Sequence, residues 1–155
     1  MSTLQPRLPT RPIPTLPTVE EPSVARFLVV PGSDAGFLIT QQAPFFGNLS
    51  IENLDAPGLV AGMPAVLFFR TQYTQGARFQ VRLNQAQFEF RFHATEAASR
   101  SWHEIISPGV LRQDDNQLFL FVAPEDGGQV IFSEIAILYT SNKLTITRPI
   151  VLDPG

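Results

Sequence analysis

The sequence predicts an all-β protein: a single jelly-roll-like antiparallel β-sandwich with an extended, Pro-rich N-terminal arm. Three observations carry this. Apolar residues recur with period two through most of the chain after residue 24, and runs of that kind end every 8–12 residues at turn-forming dipeptides. Helical spacing is nearly absent; only Ala94–Ser101 has helical composition. The prolines are concentrated, with six of fourteen among the first 22 residues, so that segment enters neither a helix nor a central strand. A chain of 155 residues is the size of one domain with a real core.

Residues 1–24 form the arm. Pro6, Pro9, Pro12, Pro14, Pro17 and Pro22 favour an extended, polyproline II course, and Leu4, Leu8, Ile13, Leu16 and Val19 place aliphatic side chains along it at intervals. An entropic linker needs no such aliphatics, so the arm is expected to dock on a protein surface, with Leu8, Ile13 and Leu16 as candidate contacts. Its P-x-x-P spacing also fits one orientation of SH3 ligand, a match common by chance in Pro-rich segments.

The sandwich is expected over residues 25–147, followed by a tail at 148–155. Ala25–Val30 and Gly36–Thr40 are short apolar runs separated by Pro31-Gly32. Asn48–Glu52 alternates as a half-buried strand does. Ala65–Tyr73 and Asn116–Ala123 are apolar on both faces, as central strands are. Phe79, Val81 and Leu83 alternate with polar residues, as do Phe88, Phe90 and Phe92. A two-residue turn at Asn84-Gln85 would set Val81 opposite Phe88, Phe79 opposite Phe90 and Glu89 opposite Gln80, gathering the apolar side chains on one face. Trp102–Ile106 is a strand ended by Ser107-Pro108-Gly109, and Glu125–Gly128 is a turn. Gln129–Tyr139 is a long strand whose Glu134 requires a bulge or edge exposure near Ser133. Lys143–Thr147 is a last short strand.

Residues 77–140 resemble the C-terminal half of galactose-binding-like jelly rolls. The resemblance rests on Asn84, Trp102, Gly109, Leu111, Asn116, Leu118, Leu120, Ile135, Ile137 and Tyr139; the glycine usual before the asparagine is Asp115 here. It implies a sandwich with a noncatalytic binding or scaffold role and does not imply that sugar is bound.

Composition narrows function. Eleven basic against fourteen acidic residues, for a net charge of −3, argues against general nucleic-acid binding. No apolar run reaches the ~18 residues of a membrane helix, and the N-terminus lacks the apolar region of a secretory signal, so cytoplasmic synthesis is expected. The absence of cysteine excludes disulfides, thiolate metal sites and cysteine nucleophiles. His93 and His103 are the only histidines, with neither a G-x-S-x-G nucleophile elbow nor an H-x-x-x-H metal spacing. No spacing selects a glycosidase pair among Glu89, Glu104 and Glu134. Asp114-Asp115-Asn116 could offer oxygens to calcium, but these are also ordinary turn residues. Asn48-Leu49-Ser50 matches a glycosylation sequon. No catalytic, cofactor or metal residue is therefore assigned.

Two readings remain. Ten arginines against one lysine, with Arg78, Arg82 and Arg91 on one outer sheet face, suit a protein interface. The leading reading is a non-enzymatic subunit of a larger assembly, of the virion or phage-particle kind, with protein partners or copies of itself. The alternative is a carbohydrate-binding module using Trp102 and its neighbour His103, since an exposed indole stacks on a sugar ring; the competing role for Trp102 is a core plug at the end of the sandwich.

Overall fold

In a computed structural model the chain is described over residues 22–40, 47–123 and 128–143. Among the described residues nine strands run in order: β1 Val24–Val29, β2 Phe37–Thr40, β3 Gly47–Leu54, β4 Ala65–Tyr73, β5 Arg78–Leu83, β6 Phe88–His93, β7 Ala98–Ile106, β8 Asn116–Val122 and β9 Gln129–Ser141. Residues 1–21, the tail at 148–155, the turn residues Glu125–Gly127 and all of the expected last strand beyond Lys143 lie outside the described residues.

Every pairing is antiparallel. One sheet has the order β1-β9-β4-β7, with β2 also on β9; the other has β3-β8-β5-β6. The pairs β5–β6, β4–β7, β3–β8 and β2–β9 are nested, each enclosing the one before. That is a long hairpin rolled on itself, and β4–β9 and β5–β8 close the roll. The architecture is a jelly roll, the expected fold class.

β1 and β2 are one strand interrupted. They pair with the two ends of β9, and the break lies where β9 bulges: Phe68 faces Ala136 and Arg70 faces Ser133, leaving Glu134 and Ile135 opposite Phe69. Glu134 takes φ 51°. Its amide donates to the Ser33 carbonyl (2.8 Å), and Val30 donates to that of Ile135 (2.9 Å), so the β1–β2 turn seats on the bulge. The expected bulge is therefore present, one residue on from Ser133.

The core lies between the sheets. Leu67, Phe69, Tyr73, Phe132 and Ile137 face Phe79, Val81, Leu83, Leu118 and Leu120. Phe79 meets Tyr73, Phe90, Phe92, Trp102 and Phe132 at ring-centroid distances of 5.4–6.2 Å. Aromatic pairs at such separations add stabilisation beyond area burial.

Two expectations need correction. The β5–β6 register is shifted by two: Leu83 faces Phe88, Val81 faces Phe90 and Phe79 faces Phe92. The connection has four residues, Asn84–Gln87, with Asn84 and Gln85 at positive φ and a 3-10 turn at Gln85–Gln87. A shift of two preserves the face, so the same phenylalanines point inward. Ala94–Ser101 is not helical; Ala98–Ser101 instead begins β7, held by β4 from Tyr73 to Arg70. Tertiary pairing overrides helical composition there.

Several residues behind the galactose-binding-like resemblance are structural. Asn84 and Asn116 are buried and joined, Asn84 Nδ2 donating to Asn116 Oδ1 (2.9 Å) and to the Val110 carbonyl (2.6 Å). Asn116 Nδ2 donates to the carbonyls of Leu54 (2.8 Å) and Arg112 (2.7 Å), and its Oδ1 accepts from Arg112 N (2.8 Å). Buried amides satisfied in this way fix the 107–115 loop against β3 and the β5–β6 turn. Tyr139 is likewise buried, its hydroxyl donating to the Pro57 carbonyl at 3.2 Å.

The burial difference between central and edge strands sets an expectation for stability. Phe79→Ala should cost ~3–5 kcal/mol in chemical denaturation. Phe90→Ala, on the half-buried edge strand β6, should cost distinctly less; equal losses would mean that β6 is not an edge.

Candidate functional site

Period-two strands give a sandwich two outer faces, and here they differ in chemistry. On the five-stranded sheet, one row across the strands is Phe27, Leu138, Val66 and Ile105. The next is Val29, Ala136, Phe68 and His103. Seven of these eight positions are apolar, so the face is continuous across four strands. Phe27, Val29 and Ile105 are 60%, 61% and 73% exposed, and the Phe27 and Phe68 rings lie 6.3 Å apart. The next row, Ser133, Arg70 and Ser101, is polar, with Arg70 3.7 Å from Glu134, both well exposed. An ion pair so exposed adds little stability. One row further, Leu38 and Ile131 are again apolar, Leu38 being 60% exposed.

The outer face of the four-stranded sheet is polar and cationic around two rings. Phe119 and Phe121 stack with centroids 6.2 Å apart. Across the strands, Phe121 is flanked by Asn48 and by Gln80, then Arg91. Phe119 is flanked by Ser50 and by Arg82, then Glu89. Arg78 faces His93 at the end of β5, and these two line a shallow groove of about 530 Å³ with Gln80, Arg91 and Phe92. Arg78, Arg82 and Arg91 thus do share one outer face.

Glu89 organises that face. It stands opposite Arg82 rather than Gln80, as the shifted register requires. Its Oε1 accepts from Arg91 Nε at 2.5 Å and lies 3.5 Å from Arg82 Nη2. The hydrogen bond from Arg91, with the charges of Arg91 and Arg82, holds the Glu89 carboxyl below its ordinary range against a smaller desolvation effect.

Trp102 and His103, joined in the sequence reading, are separated by the strand. Trp102 points into the sandwich at 8% exposure, against Phe69, Phe79, Phe90 and Phe92. Its indole N–H donates to Thr71 Oγ1 at 2.8 Å. The Arg100 guanidinium covers it, 4.1 Å from the ring centroid, so Trp102 is the core plug and offers no open face to a sugar. His103 points outward among the apolar side chains. His93 and His103 therefore stand on opposite outer faces and cannot act as a pair.

The Asp114-Asp115-Asn116 turn does not converge its oxygens, because Asn116 spends its amide on the interior. Among the described residues no group of three or more acidic or histidine side chains is placed to hold a metal. Leu8, Ile13 and Leu16 lie outside the described residues. The sequence reading missed Phe27, Val29, Phe68 and Ile105. The signal available for them was the doubled apolar pairs Phe68-Phe69 and Ile105-Ile106, which put one side chain on each face of a strand.

No family model and no curated protein matches the chain. Among solved structures, dimeric latent PorU from Porphyromonas gingivalis is similar over 77% of this chain, with TM-score 0.50 and 10% identity. The chain spans 13% of that protein's length. The CBM36-1 domain of a multidomain xylanase from the hindgut metagenome of Trinervitermes trinervoides aligns over 79% of this chain and all of its own, with TM-score 0.43 and 9% identity. A carbohydrate-binding module of family 29 aligns over 84% of this chain and 99% of its own, with TM-score 0.42 and 15% identity. At 10% identity the PorU likeness bears on fold alone, in agreement with the sandwich seen here.

The Glu89 cluster predicts a pH signature. A carboxyl whose folded midpoint is lowered favours the folded state above its unfolded midpoint, and that contribution disappears as pH falls through the lowered value. Carbon-detected NMR titration should place Glu89 below its ordinary 4.5. In Arg91→Gln the midpoint should move back toward that value.

Proposed function

We propose that this protein is a non-enzymatic subunit of a protein assembly, held to its partner by the outer face of its five-stranded sheet. One observation carries the reading: two adjacent rows across four strands are apolar at seven of eight positions, with Phe27, Val29 and Ile105 more than half exposed. The outward positions of a solvated antiparallel sheet are ordinarily polar. A contiguous exposed apolar patch, even one of the few-hundred-Å² size found on monomers, is often functional. Its composition, two phenylalanines with aliphatics and a histidine and no charge within the rows, is that of an interface centre, and the Arg70–Glu134 pair at its border is that of a rim.

The test is the molar mass of the full-length chain by light scattering over a range of concentrations, compared with Ile105→Asp. Ile105 is exposed, so the substitution leaves the melting temperature of the isolated domain nearly unchanged. It should abolish self-association or partner capture; unchanged association would remove this face from the account.

A second reading concerns the opposite sheet. Phe119 and Phe121 present stacked rings among Asn48, Ser50, Gln80, Arg82 and Arg91. Ring faces take the apolar side of a sugar, and amide and guanidinium groups take its hydroxyls. If this face binds a glycan, a glycan array should give a signal that Phe121→Ala reduces at least tenfold; an array blank for the intact protein would end this reading without touching the first.

A further inference from the structure

We propose, building on the assembly reading above, that the apolar face of the five-stranded sheet is covered by residues 1–21 of a second copy of this chain, reciprocally, in an arm-exchanged dimer. Three observations lead there. The first is area. A face four strands wide and two rows deep covers on the order of 250 Å². A standard interface takes ~800 Å² from each partner, so further chain must contribute. The second is the supply of matching chain. Residues 1–21 hold five aliphatics, Leu4, Leu8, Ile13, Leu16 and Val19, among five prolines. Prolines donate no backbone hydrogen bond, so such a segment suits packing across side chains on a sheet face rather than pairing at an edge. In extended form it reaches up to roughly 65 Å, several times the ~14 Å between the sheet's outermost strands.

The third observation is direction. The arm joins the fold at β1, an edge strand of the very sheet that carries the face. Pro22 and Ser23, the two described residues before β1, are exposed. Within β1 the chain runs from Val24 toward the rows at Phe27 and Val29, so the arm attaches at the end of the strand away from them. To cover its own face the arm has to double back past Val24, whereas a neighbour's face needs no such reversal.

The chain has no cysteine, which makes the proposal directly testable by crosslinking. One copy carries Thr15→Cys, a second, differently tagged copy carries His103→Cys, and the mixture is oxidised. The expected product is a mixed disulfide between the two tags. Deleting residues 2–21 should weaken dimerisation at least tenfold in light scattering while leaving the domain's melting temperature unchanged. If the deletion leaves a dimer that Ile105→Asp still dissociates, the face is an interface but the arm is not its occupant. If a single chain carrying both cysteines closes internally as a monomer, the arm covers its own sheet and the exchange is overturned. If neither the deletion nor Ile105→Asp changes the mass, the occupant and the assembly reading fall together.

Discussion

Five ring contacts meet at Phe79, and the closure of the sandwich depends on them. Phe79 projects from β5 in the four-stranded sheet. Tyr73, Trp102 and Phe132 project toward it from β4, β7 and β9 of the five-stranded sheet, and Phe90 and Phe92 come from its own neighbour β6. Three strands of one layer and two of the other are thereby fixed around a single side chain. At the edge strands β6 and β7, Trp102 packs against Phe90 and Phe92 under the guanidinium of Arg100. An interior packed to this density holds the sheets in one arrangement, and with them the pattern each presents outward.

The two outer faces follow from that arrangement and divide the chemistry between them. The large aromatic side chains are not all consumed inside. Phe27 and Phe68 remain outside on the five-stranded sheet, and Phe119 and Phe121 on the other. On the four-stranded sheet the rings sit among arginines, amides and a carboxylate that is paired and held ionised. On the five-stranded sheet the surroundings are aliphatic. The first face is compatible with water as it stands. The second has a reason to be covered, and the same chain carries a Pro-rich aliphatic segment adjoining its edge.

Much of this was legible in the sequence wherever period two acts locally. β4 could be read to the residue at both ends, and the inward set on β5 and β6 and the bulge near Ser133 were readable from alternation and one misplaced glutamate. The register of β5 on β6 was not, because two-residue and four-residue turns gather the same phenylalanines on the same face. Asn84 in left-handed conformation is compatible with either turn. Ala94–Ser101 misled because its alanines and polar residues lack alternation, while β4 supplies the pairing that makes part of it strand. Trp102 could not be placed by its neighbours, since adjacent residues on a strand face opposite ways. The apolar rows were out of reach for a different reason. Phe27, Val66, Ile105 and Leu138 stand on four strands that only the rolled topology sets side by side.

On the proposal above, the apolar face of the five-stranded sheet is covered when copies of the chain associate. Hydroxyl-radical footprinting of the full-length chain, read residue by residue from high to low concentration, tests it most directly. Phe27 and Phe68 should be protected when the chain is concentrated and become labelled on dilution, while Phe119 and Phe121 label equally throughout. Phe27 and Phe68 labelled to the same extent at every concentration, as their exposure in the single chain implies, would contradict it.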